Sequence, residues 1–480
     1  MIELRPYQTE AIAQLRQSFA NKNKRTVLCL PTGSGKTVVF SEMVRRAAEK
    51  GTRTLVLTDR LELFDQTFKA MGRVGVTPQM IHAKGNHTID PYAVVSVGMV
   101  ETVKRRVAKG AMMFPEFIVI DEAHKGNFIA ILDLFPEAKV IGATATPVGK
   151  HFYKYYTDIV QNIDIPDLVD AGYLAECRAF QMQDDLSDLQ TRAGEYTEES
   201  LFGHYNSQKL FDGVIEQYRD KANGTKAIVF NVNIAHTENM TKAFNDAGIR
   251  SECVTSKTPK DERARILRAY SQGLFPVLNN CGILTTGYDE PTIETVIMNR
   301  ATKSLPLWLQ CCGRGSRVIP NVKTQFTVLD FGMNHDQHGM WSEPRTWKIR
   351  KPREKGEQPA PVKECPSCNA LVFASARSCR YCGHEFPMEG KPLAEGQMVQ
   401  VTPKVPMGLQ GRRIADLSLI ELIELEASKT YKASFIWRVV RSQGKEAIRE
   451  YARMKGHSSG WCYRQELEMN NSEYSNYLLK

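Results

Sequence analysis

Two short stretches of this chain carry residues whose types and spacing suit phosphoryl chemistry. The first is Pro31-Thr32-Gly33-Ser34-Gly35-Lys36-Thr37. Its glycines let backbone N–H groups close around phosphate oxygens, and a helix opening at the lysine adds positive potential. In such a loop Thr32, Gly33, Ser34 and Gly35 form the cradle and Lys36 reaches the β and γ phosphates of ATP. The Thr37 hydroxyl then binds Mg²⁺. The general pattern asks for a glycine where this chain has Leu30, so a glycine-rich turn without nucleotide stays open as the alternative. The second stretch is Asp121-Glu122-Ala123-His124. Asp121 is placed to hold Mg²⁺ through water, and Glu122 to orient and deprotonate an attacking water, the division of labour that phosphoryl transfer needs. Alone, the same four residues could be an acidic helix N-terminus.

Both stretches need strands to hold them. Thr26–Leu30, Thr54–Leu57, Ala93–Val97, Phe117–Ile120 and Lys139–Gly142 are short apolar runs with helical stretches between most of them. That alternation predicts a doubly wound α/β lobe over residues 1–155, with each reactive stretch at the end of a buried parallel strand, where ligands bind in such sheets. Ala227–Phe230, Pro276–Leu278, Glu294–Met298 and Phe326–Leu329 repeat the pattern, giving a second α/β lobe over 156–340.

Composition changes after the second lobe. Residues 341–362 read as a basic linker, with Lys348, Arg350, Lys351, Arg353 and Lys355 close together. Within 363–387 stand Cys365-Pro366-Ser367-Cys368 and Cys379-Arg380-Tyr381-Cys382, ten residues apart. Two such knuckles suit four thiolates around one structural Zn²⁺; His384 is an alternative ligand, and free cysteines or a redox pair are alternative readings. A second linker spans 388–411, and 412–480 reads as mainly helical. There Leu419, Ile420, Ile423, Phe435, Ile436, Val439 and Val440 keep helical spacing among basic residues. A helical core with a solvated basic face, a nucleic-acid surface, and a stacking platform of Trp461, Tyr463 and Arg464 all remain readings of it.

The formal net charge of +9 favours a polyanionic partner. No apolar run is long enough for a membrane helix, and the polar start Met1-Ile2-Glu3-Leu4-Arg5-Pro6 lacks a secretory core. The expectation is a cytoplasmic protein with no membrane association, and a monomer. Eleven cysteines, seven of them scattered, suit reduced thiols plus one metal site.

With these residues in view, the chain resembles superfamily 2 helicases of the Asp-Glu-Ala-His type over about residues 3–335. The resemblance implies two RecA-like parallel-sheet lobes and ATP hydrolysis coupled to movement on nucleic acid. Arg5-Pro6-Tyr7-Gln8 resembles the adenine-recognition motif, which implies that Gln8, with Arg5, binds adenine. Leu57-Thr58-Asp59-Arg60 and Ser96-Val97-Gly98-Met99 resemble motifs that touch the nucleic-acid backbone, implying Thr58, Arg60 and Ser96 as contacts. Thr58 and Ser96 read equally as strand-end residues. Thr144-Ala145-Thr146, with His124, resembles the motif coupling hydrolysis to movement. In the second lobe the resemblance implies Asn231, Thr285 and Thr286 as nucleic-acid contacts and Gly287 and Asp289 at the nucleotide. Gln310, Arg314 and Arg317 match the arginine-finger helix, Arg317 as the finger and Gln310 reaching the nucleotide or its water. A finger on the second lobe makes hydrolysis depend on lobe closure. The motor-plus-ribbon order is similar to the RadD-like bacterial and phage DNA helicases, which implies a 3′ to 5′ direction.

The leading expectation is a DNA helicase or translocase on single-stranded or branched DNA, serving repair, recombination or replication, with single-strand-binding or repair proteins as candidate partners. An RNA helicase and a nucleotide-dependent binding switch are the alternatives; no nuclease constellation is evident.

Overall fold

The computed structural model describes residues 3–83, 89–149 and 151–349, and thereafter 362–364, 367, 371–373, 382, 384–385, 398–401, 417–427 and 433–457. The first lobe opens with α1 (Pro6–Ala20) and β1 (Arg25–Cys29), followed by α2 (Lys36–Ala48), β2 (Thr54–Thr58), α3 (Leu61–Arg73) and β3 (Gln79–Ile81). It continues through β4 (Val95–Met99), α4 (Val100–Ala108), β5 (Phe117–Asp121), α5 (Ile129–Leu134), β6 (Lys139–Thr144), α6 (Phe152–Tyr155) and β7 (Asp158–Val160). These strands form one sheet in the order β3-β4-β2-β5-β6-β1-β7, with every pair parallel. The middles of its central strands are apolar because helices cover both faces. Val56, Val119 and Ile141 join one core cluster, and Leu55, Ile118 and Val140 the other.

The chain crosses through α7 (Ile165–Asp170), whose N-cap Asp164 forms a capping box with Asp167, into the second lobe. There follow β8 (Glu176–Gln181), a hairpin of β9 (Thr191–Arg192) and β10 (Glu195–Tyr196), α8 (Glu198–Tyr205), α9 (Gln208–Ala222), β11 (Ala227–Phe230), α10 (Ile234–Asp246), β12 (Ser251–Val254) and α11 (Lys260–Ser271). The lobe closes with β13 (Val277–Asn280), β14 (Thr295–Met298), α12 (Leu305–Cys312), β15 (Gln325–Asp330) and α13 (Asn334–His338). A hairpin of β16 (Val362–Glu364) and β17 (Leu371–Phe373) comes next, and then β18 (Val399–Val401). The second sheet runs β12-β13-β11-β14-β15-β8-β18, parallel except for β18 against β8.

The nine strands read from sequence are all present. In the two large sheets β3, β7, β8, β12 and β18 escape the pattern, as do the hairpin strands β9, β10, β16 and β17, since two- to six-residue strands with polar members have little periodicity. β7 pairs with β1, so the first sheet reaches beyond residue 155. β18 shows that part of the 388–411 stretch, read as linker, completes the second sheet.

Residues 402–480 form a separate compact unit. Its helices α14 (Leu419–Ala427), α15 (Ala433–Ser442) and α16 (Lys445–Met454) enclose Leu422, Leu425, Ile436, Val440 and Tyr451. Tyr451 donates to Glu426 at 3.0 Å. Ile420, read with the apolar stripe, is exposed instead. Trp461, Tyr463 and Arg464 lie outside the described residues. No described helix is long and apolar enough to cross a membrane.

Candidate nucleotide site between the lobes

The phosphate loop leaves β1 and enters α2 through two glycines in the left-handed region, Gly33 at φ +89° and Gly35 at φ +84°. Gly35 is the N-cap of α2, so free N–H groups and the positive end of the helix dipole face the cleft. The loop is braced from below. Ser34 Oγ donates to Pro31 O at 2.7 Å, while Tyr7 Oη and Gln8 Nε2 both donate to Ser34 O, at 2.5 and 3.0 Å. Gln8 Oε1 accepts from Arg5 N. The positive φ of Gly35 favours glycine, and a Cβ there would also meet Gln8 Nε2 at 2.6 Å. Both ends of the Gln8 amide are therefore used inside the protein. In this structure Gln8 braces the loop. Arg5 stacks over Tyr173, 4.2 Å from the ring centroid. Sequence reasoning missed Tyr173, which sits in the crossing between lobes with no local motif to mark it.

Lys36 Nζ is held only by the carbonyls of Leu30 and Pro31, each at 3.3 Å. Burial pushes its pKa down, opposed by Glu122 and Asp121. These long contacts can be exchanged for phosphate oxygens. Asp121 ends β5, and Glu122 follows at φ +53°, a conformation that costs a non-glycine residue roughly 1–3 kcal/mol and is concentrated at functional sites. Burial first, and then the Glu122 carboxylate, push Asp121 up to about 7. A buried carboxyl group with a second carboxylate beside it fits a divalent cation. The oxygen-only set of Asp121 and the Thr37 hydroxyl, lining the same cleft, suits Mg²⁺.

Glu122 Oε2 is buried without a hydrogen bond, 3.2 Å from His124 Nδ1. Burial lowers the His124 pKa, which favours a neutral ring, and Nδ1 meets Thr144 Oγ1 at 3.0 Å. Thr144 Oγ1 also accepts from Thr146 N at 3.0 Å. Gln310 Nε2 lies 3.4 Å from His124 Nε2. The second-lobe glutamine thus reaches the His124–Thr144 pair.

The second lobe supplies the opposite wall. Gly287, Asp289, Arg314 and Arg317 line one cleft with Lys36, Thr37, Asp121 and Glu122. Arg317 Nε donates to Asp289 at 2.8 Å, and a Cβ on Gly33 would lie 2.3 Å from Arg317 Nη1. The guanidinium therefore rests on the phosphate loop. Gly313 packs similarly on Thr32. Arg314 donates to the carbonyls of Tyr288 and Gln310, and burial, then Arg317, lower its pKa to about 10. Gln66, Lys69 and Arg73 of α3 also line the cleft, and Gln66 Nε2 donates to Gly287 O at 2.7 Å. Their helical spacing could have flagged them, although no motif does.

The residues expected to touch nucleic acid present fewer open groups. Arg60 Nη1 donates to Ile283 O across the lobes at 3.3 Å. Ser96 is buried within β4, 3.3 Å from Gln79 Oε1. Asn231 is buried too: it donates to Asn279 Oδ1 at 3.0 Å and accepts from Asn299 at 2.9 Å. Ser96 lies within β4 and Asn231 just past β11, both buried, and their polar groups are satisfied internally in this structure. Thr285 donates to Gly282 O. Thr58, Thr146 and Thr286 keep buried hydroxyls without partners among the described residues.

Of the proposed zinc ligands, Cys365, Cys368 and Cys379 lie outside the described residues, and Cys382 is exposed. Among the described residues no cluster of three or more metal-ligating side chains occurs.

Residues 1–149 match the family described as type III restriction enzyme, res subunit, and residues 208–318 match the helicase conserved C-terminal domain. A 51.5 kDa protein of a Lactococcus phage is 31% identical over 372 residues, covering 75% of this chain and 78% of the phage protein. The putative ATP-dependent helicase IRC3 of Saccharomyces cerevisiae is 30% identical over 72% of this chain, which spans about half, 54%, of the yeast protein. Among solved structures, a fragment of a putative HsdR subunit of a type I restriction enzyme from Vibrio vulnificus superimposes with a TM-score of 0.56 at 23% identity. That match covers 70% of this chain and 67% of the fragment, and shows a shared fold.

Proposed function

This chain belongs to helicase superfamily 2, and from that membership we propose that it is a DNA-dependent ATPase that moves along or remodels DNA. The observation that supports the reading is the seat of Arg317 on Gly33, which brings a second-lobe cation onto the phosphate loop. In this reading Lys36 and the loop N–H groups bind the triphosphate, and Thr37 and Asp121 hold Mg²⁺, which neutralises phosphate charge when bound. Glu122 orients and deprotonates water, and Arg317, with Arg314 behind it, stabilises charge in the transition state. The contacts from Gln310 through His124 to Thr144 then carry the state of the cleft between lobes. The likeness of the first lobe to a restriction-enzyme subunit favours DNA over RNA.

The four paired cysteines are proposed to hold structural Zn²⁺, which their spacing supports; native protein containing no zinc by metal analysis overturns this. The motor itself is tested by ATP turnover of wild type and Lys36→Ala with single-stranded, duplex and forked DNA and with RNA. Turnover that needs Lys36 and rises with DNA is expected. Stimulation by RNA alone moves the assignment to an RNA helicase, and indifference to every nucleic acid leaves a nucleotide switch.

A further inference from the structure

Lys323, like Arg314, is a buried cation that no carboxylate holds among the described residues. It is 5% exposed, yet among the described residues its ammonium makes no ion pair. Nζ donates instead to two backbone carbonyls, Gly315 O at 2.6 Å and Pro291 O at 3.0 Å. Those carbonyls belong to separate segments. Gly315 lies in the turn after α12 that carries Arg314 and Arg317, and Pro291 ends the loop that carries Gly287 and Asp289.

We propose that Lys323 is a positioning residue for ATP turnover, pinning the Asp289 loop to the arginine-finger turn so that Arg317 is presented at a fixed place above the phosphate loop. This rests on the ATPase reading given above.

The surrounding geometry supports the pin. Lys323 is itself fixed by a tight backbone bridge with Ile319, whose N–H and C=O exchange hydrogen bonds with it at 2.9 and 2.8 Å. The finger backbone is anchored on its other side, where Ala175 N donates to Ser316 O at 2.8 Å. Gly315 packs so closely on Phe326 that a Cβ would lie 2.3 Å from the ring, so the turn cannot shift inward. The Asp289 loop is tied to the turn by hydrogen bonds, from Arg314 to Tyr288 O, Arg317 to Asp289 and Lys323 to Pro291 O. The first two use the groups that must also face the nucleotide, whereas Lys323 works from behind and stays in place when they move. Losing it leaves the buried Gly315 carbonyl without its charged donor and breaks the part-buried tie to Pro291 O.

The charged groups that bear on Lys323 are Arg317, which disfavours its charge, and Glu294 and Glu290, which favour it. Glu290 is shared with Lys226 at 3.6 Å. Burial dominates and lowers the Lys323 pKa to about 8. A lysine with a lowered pKa is charged below that value and loses its proton as pH rises through it, so the pin weakens in mildly alkaline solution. Arginine at this position would stay charged.

The test is steady-state ATP turnover of the full chain with single-stranded DNA, across pH 7 to 9, for wild type, Lys323→Met and Lys323→Arg. Lys323→Met is expected to lower kcat by about ten- to a hundredfold, as for misplacement of a catalytic group by an ångström or less. KM for ATP stays within about twofold, because the triphosphate is bound mainly by the first lobe. Lys323→Arg keeps most of kcat, and its profile stays flat where that of the wild type falls above about pH 8. A kcat for Lys323→Met within twofold of wild type overturns the proposal. If that variant does not fold, the comparison of wild type with Lys323→Arg decides, and superimposable profiles overturn it. Wild-type turnover that does not need Lys36 is a different failure, since it removes the ATPase reading itself.

Discussion

The two lobes share one architecture and treat their reactive side chains in opposite ways. In the first, those side chains are loosely held: Lys36 has two 3.3 Å contacts to carbonyls, Glu122 Oε2 accepts no hydrogen bond, and the Thr146 hydroxyl has no partner among the described residues. In the second they are clamped. Arg317 is held by Asp289, Arg314 by the carbonyls of Tyr288 and Gln310, and Lys323 by those of Pro291 and Gly315. Loose groups are ready to take a ligand, since exchanging a weak internal contact for a phosphate costs little. Clamped cations are preorganised, and moving the lobe moves them as a block. The comparison suggests that one lobe binds and the other delivers.

The largest effect should come from breaking delivery while leaving binding intact. Arg317→Ala is expected to lower kcat by about 10³–10⁵, with nucleotide affinity, measured by fluorescent ATP-analogue titration, changed only a few-fold. An equal loss of affinity would mean that the second lobe binds as much as it delivers. Next comes Glu122→Gln, expected to lose about 10²–10⁴ in turnover while still binding ATP. Near-normal turnover would remove Glu122 as the base and leave its left-handed backbone without a functional account.

The same contrast explains what the sequence made legible. First-lobe groups come from two contiguous stretches, 31–37 and 121–124, each at the end of an apolar strand, so local spacing carries both the fold and the chemistry. Arg314 and Arg317 were also within reach, being on one helix end. Lys323 and Tyr173 were not. Each acts through a contact far away in sequence, and a lysine before a strand or a tyrosine in a connection has no periodicity to betray it. Asn231 shows the converse: a polar residue at a strand end looks like a ligand-facing group, but here it is bonded to Asn279 and Asn299, which no spacing reveals. β18 was illegible because a three-residue strand in a proline-bearing stretch reads as linker until β8 is there to receive it.

Gln8 offers the finest test of the contrast, because it belongs to the loose lobe yet is fully engaged. If its amide braces Ser34 O, Gln8→Ala loosens the phosphate loop for any nucleoside triphosphate. One hydrogen bond of this kind contributes about 1 kcal/mol, which corresponds to roughly a fivefold rise in KM. The rise should then be the same for ATP and GTP, since the phosphates are common to both. If Gln8 instead leaves Ser34 to read the base, only ATP should suffer and the preference for ATP over GTP should shrink. Steady-state KM values for the two nucleotides, in wild type and Gln8→Ala, separate these outcomes. Equal rises would place Gln8 with the clamps, making the floor of the phosphate loop the one part of the first lobe that is preorganised before nucleotide arrives.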